Sequence, residues 1–474
     1  MLEYPNEDGE AYLETDDFGA FPPLGPLYVL TYLEENTNGH QLFFKDCVGE
    51  KISHLGLKKI IQEIEPDIIG VTSFTISLID VHQVAKTARE IVPDAHICMG
   101  GHHPIAFPFE AVQLVEFDSI VVGEGEVAFT QLVNALEQNR EITEILGVYT
   151  RESIKSWQKN SYNDKRFLGN VMVPPGYIDD IDTLPAPNRS YIRHIKYHST
   201  VGMTGDLATI ISSRGCPYKC TFCDVPYKRY RPRAVGLVLD EVEECLAMGY
   251  SEFHFYDDLF NITSKKVIEF CDEVERRGLS IHWDFRGRVN NVTRESLVRA
   301  KNAGCRMISF GVETGTDEGL KALKKGATIA QVENVFKWCR ELNIRTIADF
   351  MIGLPFEKSQ EDMENNLAFM NKIDPDYAQI SVLNLYPNTP LFHQADEQGL
   401  IDGDRWNAFA LDPKPGFTVD HWEEFVSIED QVKIQKKAYM KFYLRPKYIL
   451  RSIFNTRSLY EFKAKAKGVL QILG

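Results

Sequence analysis

The chain has 474 residues, 44% hydrophobic and 25% charged, the balance of a folded globular protein of two or three domains. A net charge of −16 argues against a broad nucleic-acid surface. No apolar run reaches the roughly 20 residues of a membrane span, and no basic segment leading into an apolar one marks a secretory leader, so the expected compartment is the cytoplasm.

From Pro22 to about Asn139, short apolar runs at His40–Phe44, Asp67–Val71, Ala95–Met99 and Asp118–Val122 read as strands. Helical-period segments accompany them at Leu27–Glu35, Leu55–Ile64, Ile79–Val92 and Glu126–Glu137. Strand–helix alternation predicts an α/β doubly wound domain over residues 1–145. Residues 146–195 read as a short hairpin and a linker, because Ile178-Asp-Asp-Ile-Asp-Thr-Leu-Pro-Ala-Pro187 disfavours regular structure. A second alternating series fills residues 196–415. Its six strand-like runs are Leu207–Ser212, Glu252–Tyr256, Ile281–Phe285, Met307–Gly311, Thr346–Ile352 and Tyr377–Leu383, with helices such as Leu237–Met248, Lys265–Arg277 and Ile329–Leu342 in the gaps. Six βα units predict a partial parallel barrel whose site lies at the C-terminal strand ends. Residues 416–474 read as helical and basic.

Nine cysteines are an odd count, and metal binding or buried thiols are favoured over disulfides. Cys47, Cys98, Cys245, Cys271, Cys305 and Cys339 stand singly and read as small buried hydrophobes. The other three share the loop after the first barrel strand, Ser212-Ser-Arg-Gly-Cys216-Pro-Tyr-Lys-Cys220-Thr-Phe-Cys223. Structural zinc requires four closed ligands, and no fourth Cys or His lies nearby. Three thiolates on a four-iron cluster leave one iron open to bind a substrate.

This C-x3-C-x2-C spacing, with Phe222 before the last cysteine, resembles the radical S-adenosylmethionine superfamily. The resemblance implies that Cys216, Cys220 and Cys223 hold a 4Fe-4S cluster whose open iron chelates S-adenosylmethionine. Reductive cleavage then releases a 5′-deoxyadenosyl radical that abstracts hydrogen from an unactivated carbon. It also implies an electron donor such as flavodoxin or ferredoxin. Cofactor contacts are expected at the later strand ends: Asp257 and Asp258 near the methionine amino group, Arg286 or Arg288 at a carboxylate or ribose, Glu313 at ribose hydroxyls or the sulfonium, and Gly353 beneath adenine.

A doubly wound domain ahead of such a barrel resembles the cobalamin-binding class of this superfamily, in the branch of the anaerobic magnesium-protoporphyrin ester cyclase. The resemblance rests on Gly100-Gly101-His102-His103, Val121-Val-Gly123-Glu124-Gly125-Glu126, Leu184-Pro-Ala-Pro187, Tyr386-Pro-Asn-Thr-Pro390 and Phe442-Tyr-Leu-Arg-Pro446. It implies cobalamin contacts from Ser73, Thr75, Gly100, Gly101, His102, Gly123, Glu124 and Gly125. Two departures stand out. The cobalt-ligating pattern D-x-H-x-x-G appears as Asp46-Cys-Val-Gly-Glu-Lys51, with Val48 in the histidine position, and the opening strand is reduced to Met1-Leu-Glu-Tyr-Pro5.

The segment Gln431–Gly474 carries eleven Lys or Arg against one acid, Glu461, interleaved with aromatics. Such a segment either lies on an anionic membrane surface, packs on the acidic body, or binds RNA, the last opposed by the acidity of the rest. The expected reaction is C-methylation of a small-molecule, lipid or tetrapyrrole substrate. Oxidation or cyclisation by the same radical start is the alternative. A tRNA methylthiotransferase is remote, because the N-terminal part supplies only Cys47 and Cys98.

Overall fold

The computed structural model describes residues 19–154, 176–199 and 206–455. The chain divides into two compact units, Ala20–Lys196 with Asp402–Thr418, and Tyr197–Ile401 with Val419–Gly474.

In the first unit the elements are α1 (Leu24–Asn36), α2 (His54–Ile64), β1 (Ile68–Thr72), α3 (Leu78–Ile91), β2 (His96–Gly100), α4 (His102–Ala106), β3 (Ser119–Val121), α5 (Gly125–Glu137) and β4 (Val148–Tyr149). The sheet runs β1-β2-β3-β4, parallel except for the last pair. The helices match the apolar periodicity to within a few residues. The run His40–Phe44 is not a strand; it forms no ladder among the described residues. Apolar composition alone made it resemble one, and the segment Met1–Pro5 lies outside the described residues. Of the expected hairpin, only β4 is described, and it pairs antiparallel with β3.

The Pro-rich stretch is part of this unit. Thr31 accepts from the Asn188 amide at 2.8 Å, and Tyr191 donates to Glu34 at 2.7 Å. The helix Asp404–Leu411, which the sequence alone placed with the barrel, also belongs here. Its Trp406 is buried and stacks on Phe107 at 6.4 Å.

The second unit begins with β5 (Leu207–Ile210), followed by α6 (Val235–Ala247), β6 (Glu252–Phe255), α7 (Ser264–Arg276), β7 (His282–Gly287), α8 (Arg294–Asn302), β8 (Cys305–Glu313), α9 (Asp317–Ala322), α10 (Ile329–Glu341), β9 (Arg345–Ile352), α11 (Gln360–Ile373), β10 (Tyr377–Val382), α12 (Pro390–Glu397), α13 (Ile428–Tyr443) and α14 (Pro446–Asn455). Its six strands are all parallel, in the order β10-β9-β8-β7-β6-β5. Alternate residues of each strand pack outward on the helices; Ala348, Phe350 and Ile352 of β9 join one core with Val332, Val335 and Phe336 of α10. Phe255, Phe260, Phe270, Trp283 and Phe285 form an aromatic group in that core, with tilted and edge-on rings. The opposite face turns to the barrel interior and carries the polar Arg286, Ser309, Glu313 and Asp349 among apolar residues such as Ile347 and Met351.

The edge strand β10 is sealed by α13. Tyr443 accepts from the Ala378 amide and donates to its carbonyl, both at 3.0 Å, and Tyr439 does the same at Ile380. Arg445 and Arg451 pair with Asp374. The described part of the basic segment is thus docked on its own barrel, where its aromatics satisfy the sheet edge; the rest lies outside the described residues. No helix among the described residues is long and apolar enough to cross a membrane.

A buried ion pair closes the loop that follows β5. Arg233 donates to Glu241 at 2.5 Å and to the Ile211 carbonyl at 2.8 Å. Arg233→Met leaves Glu241 charged and buried, and should cost about 3–5 kcal/mol, read as a lower denaturation midpoint. The double variant Arg233→Met/Glu241→Leu should recover most of the loss. A single variant as stable as wild type contradicts this reading.

Candidate active site

The cysteine loop is held at its base by the neighbouring strand. Asp257, just beyond β6 and buried, accepts from the amides of Ser212 and Ser213 at 2.6 and 3.2 Å, and from their hydroxyls at 2.5 and 2.9 Å. Burial pushes this carboxyl up, and the serine donors and the charge of Lys266 oppose that shift. Asp258 accepts from the Gly215 amide at 3.0 Å. The two acids expected at the methionine amino group are therefore used here to fix the loop. Gly215 has φ +83°, and a side chain there would meet the Arg229 carbonyl, so only glycine fits. The Cys216 amide donates to Tyr227 at 2.9 Å and the Thr221 amide to Leu323 at 3.2 Å, while Thr221 accepts from Leu391 at 3.1 Å. The loop is anchored along its whole length.

All three cysteines are free thiols, Cys220 buried and its two neighbours half-buried. Burial pushes the Cys216 thiol up and takes Cys223 to about 11, so these side chains need a cation to become thiolates at neutral pH. Among the described residues no three Cys, His, Asp or Glu side chains converge on one ion. A four-iron cluster does not require that, because its three thiolates bind three different irons. The donor set therefore fits a cluster and does not fit structural zinc.

Glu313 ends β8 with φ +67°, beside a register shift in the ladder to β9. It accepts from Lys325 at 2.5 Å, and both side chains are buried. The pair folds across Gly311, where a side chain would strike Glu313 Oε1 and Lys325 Nζ. Lys325 Nζ also lies 5.8 Å from the Phe222 ring, tying the strand end to the cysteine loop. Asp349 accepts from Ser309 at 2.9 Å, and its Oδ1 is enclosed without a hydrogen bond. Burial and the nearby Glu313 push its carboxyl up to about 6. Arg286 is exposed on the inner face, 5.7 Å from the Tyr256 ring. Gly353 has φ +73°, and the space beside it is filled by the Gln431 amide of α13, so internal packing already demands this glycine.

Sequence reasoning missed Lys325, Asn261, Asn366 and Glu357. Asn366 accepts from Gly315 at 2.6 Å and donates to Met351 and Glu357 at 2.9 and 2.8 Å, joining the turns after β8 and β9. Burial pushes Glu357 up to about 7. Asn and Lys have no spacing signature; Glu357, two residues after Pro355, was the only one with a motif beside it.

In the first unit, the Ser73 amide donates to Gly100 at 2.9 Å and its carbonyl accepts from His103 at the same distance. Thr75 bonds His103 Nδ1 at 3.0 Å. Burial pushes His103 down to about 3, so it is neutral, and its Nε2 is enclosed without a partner. Gly101 has φ +91°, and a Cβ would lie 2.6 Å from Thr72 Oγ1; beside Gly100 there is open space. His102 stacks on Phe74 at 6.0 Å, and Phe74 and Ile76 are 60% and 52% exposed. An open glycine among exposed apolar side chains at strand ends suits a large flat ligand. The second glycine turn is closed instead: Gly123 bridges to Gly176, Glu124 accepts from Ile178 at 2.7 Å, and a side chain at Gly125 would meet Val29. Asp46 accepts from the amides of Val48 and Gly49, leaving Val48 exposed with no nitrogen to offer a metal.

Comparison with known proteins decides the family. A model of the radical SAM superfamily matches residues 210–369, and one of the B12 binding domain matches residues 18–133. The chain is 30% identical over 457 residues to an uncharacterized methyltransferase of Pyrococcus horikoshii, covering 95% of this chain and 94% of that one. It belongs to the B12-binding radical SAM family. It is also 30% identical to the anaerobic magnesium-protoporphyrin IX monomethyl ester cyclase of Cereibacter sphaeroides, covering 84% of this chain and 64% of the cyclase. The fold is shared with TsrM of Kitasatospora setae (TM-score 0.65, 21% identity, 80% of this chain and 72% of that chain) and with OxsB (0.67, 17%, 95% and 69%).

This radical SAM enzyme therefore works with a 4Fe-4S cluster, S-adenosylmethionine and cobalamin. Cys216, Cys220 and Cys223 are the residues that would hold the cluster, and the Gly100 end of the first unit would receive cobalamin. Replacing any one of the three cysteines by Ala should abolish 5′-deoxyadenosine formation, measured by chromatography; turnover in such a variant refutes the ligand set. Gly100→Phe should leave the first unit folded but lower the cobalamin retained on gel filtration at least tenfold, whereas undiminished retention would move the corrin elsewhere.

Asp349 gives a pH signature. A carboxyl whose folded pKa lies above its unfolded value contributes stability below the unfolded value, near 4, and loses it as pH rises through about 6. The melting-temperature advantage of Asp349→Asn should be absent below about pH 3 and full above about pH 7. An advantage independent of pH contradicts the assignment.

Proposed function

We propose that this enzyme methylates an unactivated carbon of an apolar lipid or tetrapyrrole substrate, drawing its electron from a flavodoxin or ferredoxin. The observation that carries the reading is the match, over 95% of the chain, to a protein named an uncharacterized methyltransferase, a match that spans both the B12 binding and the radical SAM domains. Relatives that act on large ring systems support the substrate class: a hopanoid C-3 methylase of Methylococcus capsulatus is 26% identical over 372 residues, and a bacteriochlorophyllide d C-8(2)-methyltransferase of Chlorobaculum tepidum is 25% identical over 412. When bound, the cluster and S-adenosylmethionine supply a hydrogen-abstracting radical, and cobalamin carries the methyl group.

The chain's own residues supply the setting. The Asp257 carboxylate fixes the cysteine loop, and the Glu313–Lys325 pair neutralises itself beside it. Arg286 and Tyr256 present a cation and a ring to the open barrel interior, and the helices behind the sheet exclude water from the other face. The similarity to the cyclase favours a second reading, in which the radical leads to oxidation and ring closure.

The products separate the two. Methylation consumes a second S-adenosylmethionine and leaves S-adenosylhomocysteine beside 5′-deoxyadenosine. The reconstituted enzyme, given reductant, methyl-deuterated S-adenosylmethionine and an extract of lipids and tetrapyrroles, should form both nucleosides in comparable amounts and label the extract. Formation of 5′-deoxyadenosine alone, with an unlabelled extract, contradicts methylation.

A further inference from the structure

Arg286 and Arg288 sit two apart at the end of β7, where strand alternation would point both into the barrel. Only Arg286 does so. The ladder ends at Gly287, and Asn261, itself buried, takes hold of the next residue through both backbone groups. Its Oδ1 accepts from the Arg288 amide and its Nδ2 donates to the Arg288 carbonyl, each at 2.9 Å. A Cβ at Gly287 would stand 2.7 Å from Asn261 Oδ1, so the clamp requires glycine there.

The clamp turns the Arg288 side chain toward the cysteine loop. Its guanidinium carbon lies 3.8 Å from the centre of the Tyr218 ring, within the C-x3-C segment. Tyr218 is itself anchored to Asn291 at 2.9 Å. Nη1 donates to Cys220 Sγ at 3.2 Å and Nε to Asn290 at 3.3 Å. Nη2 is enclosed and has no partner among the described residues. Arg288 is 6% exposed, and none of these partners is a carboxylate. A buried guanidinium with an idle donor is costly unless an acceptor arrives. The acceptors missing here are electron-rich and belong beside Cys220.

We propose that Arg288 is a positioning residue that sets the reduction potential of the cluster through Cys220. A cationic N–H···S hydrogen bond and a fixed positive charge stabilise the more negative, one-electron-reduced state, which raises the potential. Nη2 is the donor left for a cluster sulfur. The reduction involves one electron from a low-potential donor and no bond made or broken in the protein. The proposal rests on the cluster that the family carries and not on methylation or the substrate class.

The test is a redox titration of the reconstituted full chain, without S-adenosylmethionine or substrate, following the electron paramagnetic resonance signal of the reduced cluster. In Arg288→Met the reduced-to-oxidised ratio at a fixed ambient potential should fall about tenfold, a shift of about 59 mV for a one-electron couple. Arg288→Lys keeps the charge and should shift clearly less. A midpoint in Arg288→Met equal to wild type, at equal iron content, overturns the proposal. If Arg288→Met does not load iron, Arg288→Gln decides, with a lowered midpoint expected and an unchanged one contrary. Loss of the cluster in both would overturn it too, because Arg288 would then serve assembly and not potential. No substrate takes part, so a wrong substrate class leaves every one of these outcomes unchanged.

Discussion

Three cysteines gathered on one loop, and the carboxylates of the next strand end that anchor that loop, are the constraint from which the rest follows. Burial keeps Cys216 and Cys223 protonated until a cation arrives. Iron would supply that cation, and three cysteine ligands on a four-iron cluster would leave one iron open. The loop is rigid because a neighbouring strand ends in Asp257, which accepts four hydrogen bonds from two serines. A cluster held on this loop would have its ligands placed in part by that carboxylate, which acts through the two serines.

The polar inner face shows how the barrel accommodates charge near a charged cofactor. Glu313 and Lys325 neutralise one another, and Lys325 also faces Phe222 of the loop. Burial and Glu313 push the Asp349 carboxyl up to about 6, and the positive charge of the exposed Arg286 opposes that shift. Few net charges therefore face the interior. That suits a site in which a sulfonium must bind and a reactive species must not meet water.

Much of this was legible in the chain. Parallel strands and their helices follow from apolar periodicity, because each strand of the barrel packs one face on helices, as Ala348, Phe350 and Ile352 do. The cysteine spacing pointed to the centre, since few arrangements require three sulfurs and no fourth. What periodicity could not provide was the partner of each polar side chain. Asp257 and Asp258 lie at the expected strand end but reach sideways to the loop, a choice made by tertiary proximity. Gly123, Gly125 and Gly353 suggested open approach for a flat ligand, yet the space beside them is taken by Gly176, Val29 and Gln431. Glycine marks a close approach of something, and the sequence does not say whether that is ligand or chain. His40–Phe44 shows the same limit: apolar content is no evidence of a ladder without a neighbouring strand. The aromatics of the basic segment were compatible with a membrane surface or with the body, and Tyr439 and Tyr443 are found bonded to the backbone of an edge strand.

The central claim is an iron site left open by Cys216, Cys220 and Cys223. Its most direct test is the electron paramagnetic resonance spectrum of the reduced, anaerobically purified protein before and after S-adenosylmethionine is added. A 4Fe-4S signal that changes shape on addition is expected, because the sulfonium compound would bind the unprotected iron. A spectrum indifferent to S-adenosylmethionine, or a preparation that holds zinc in place of iron, would contradict it.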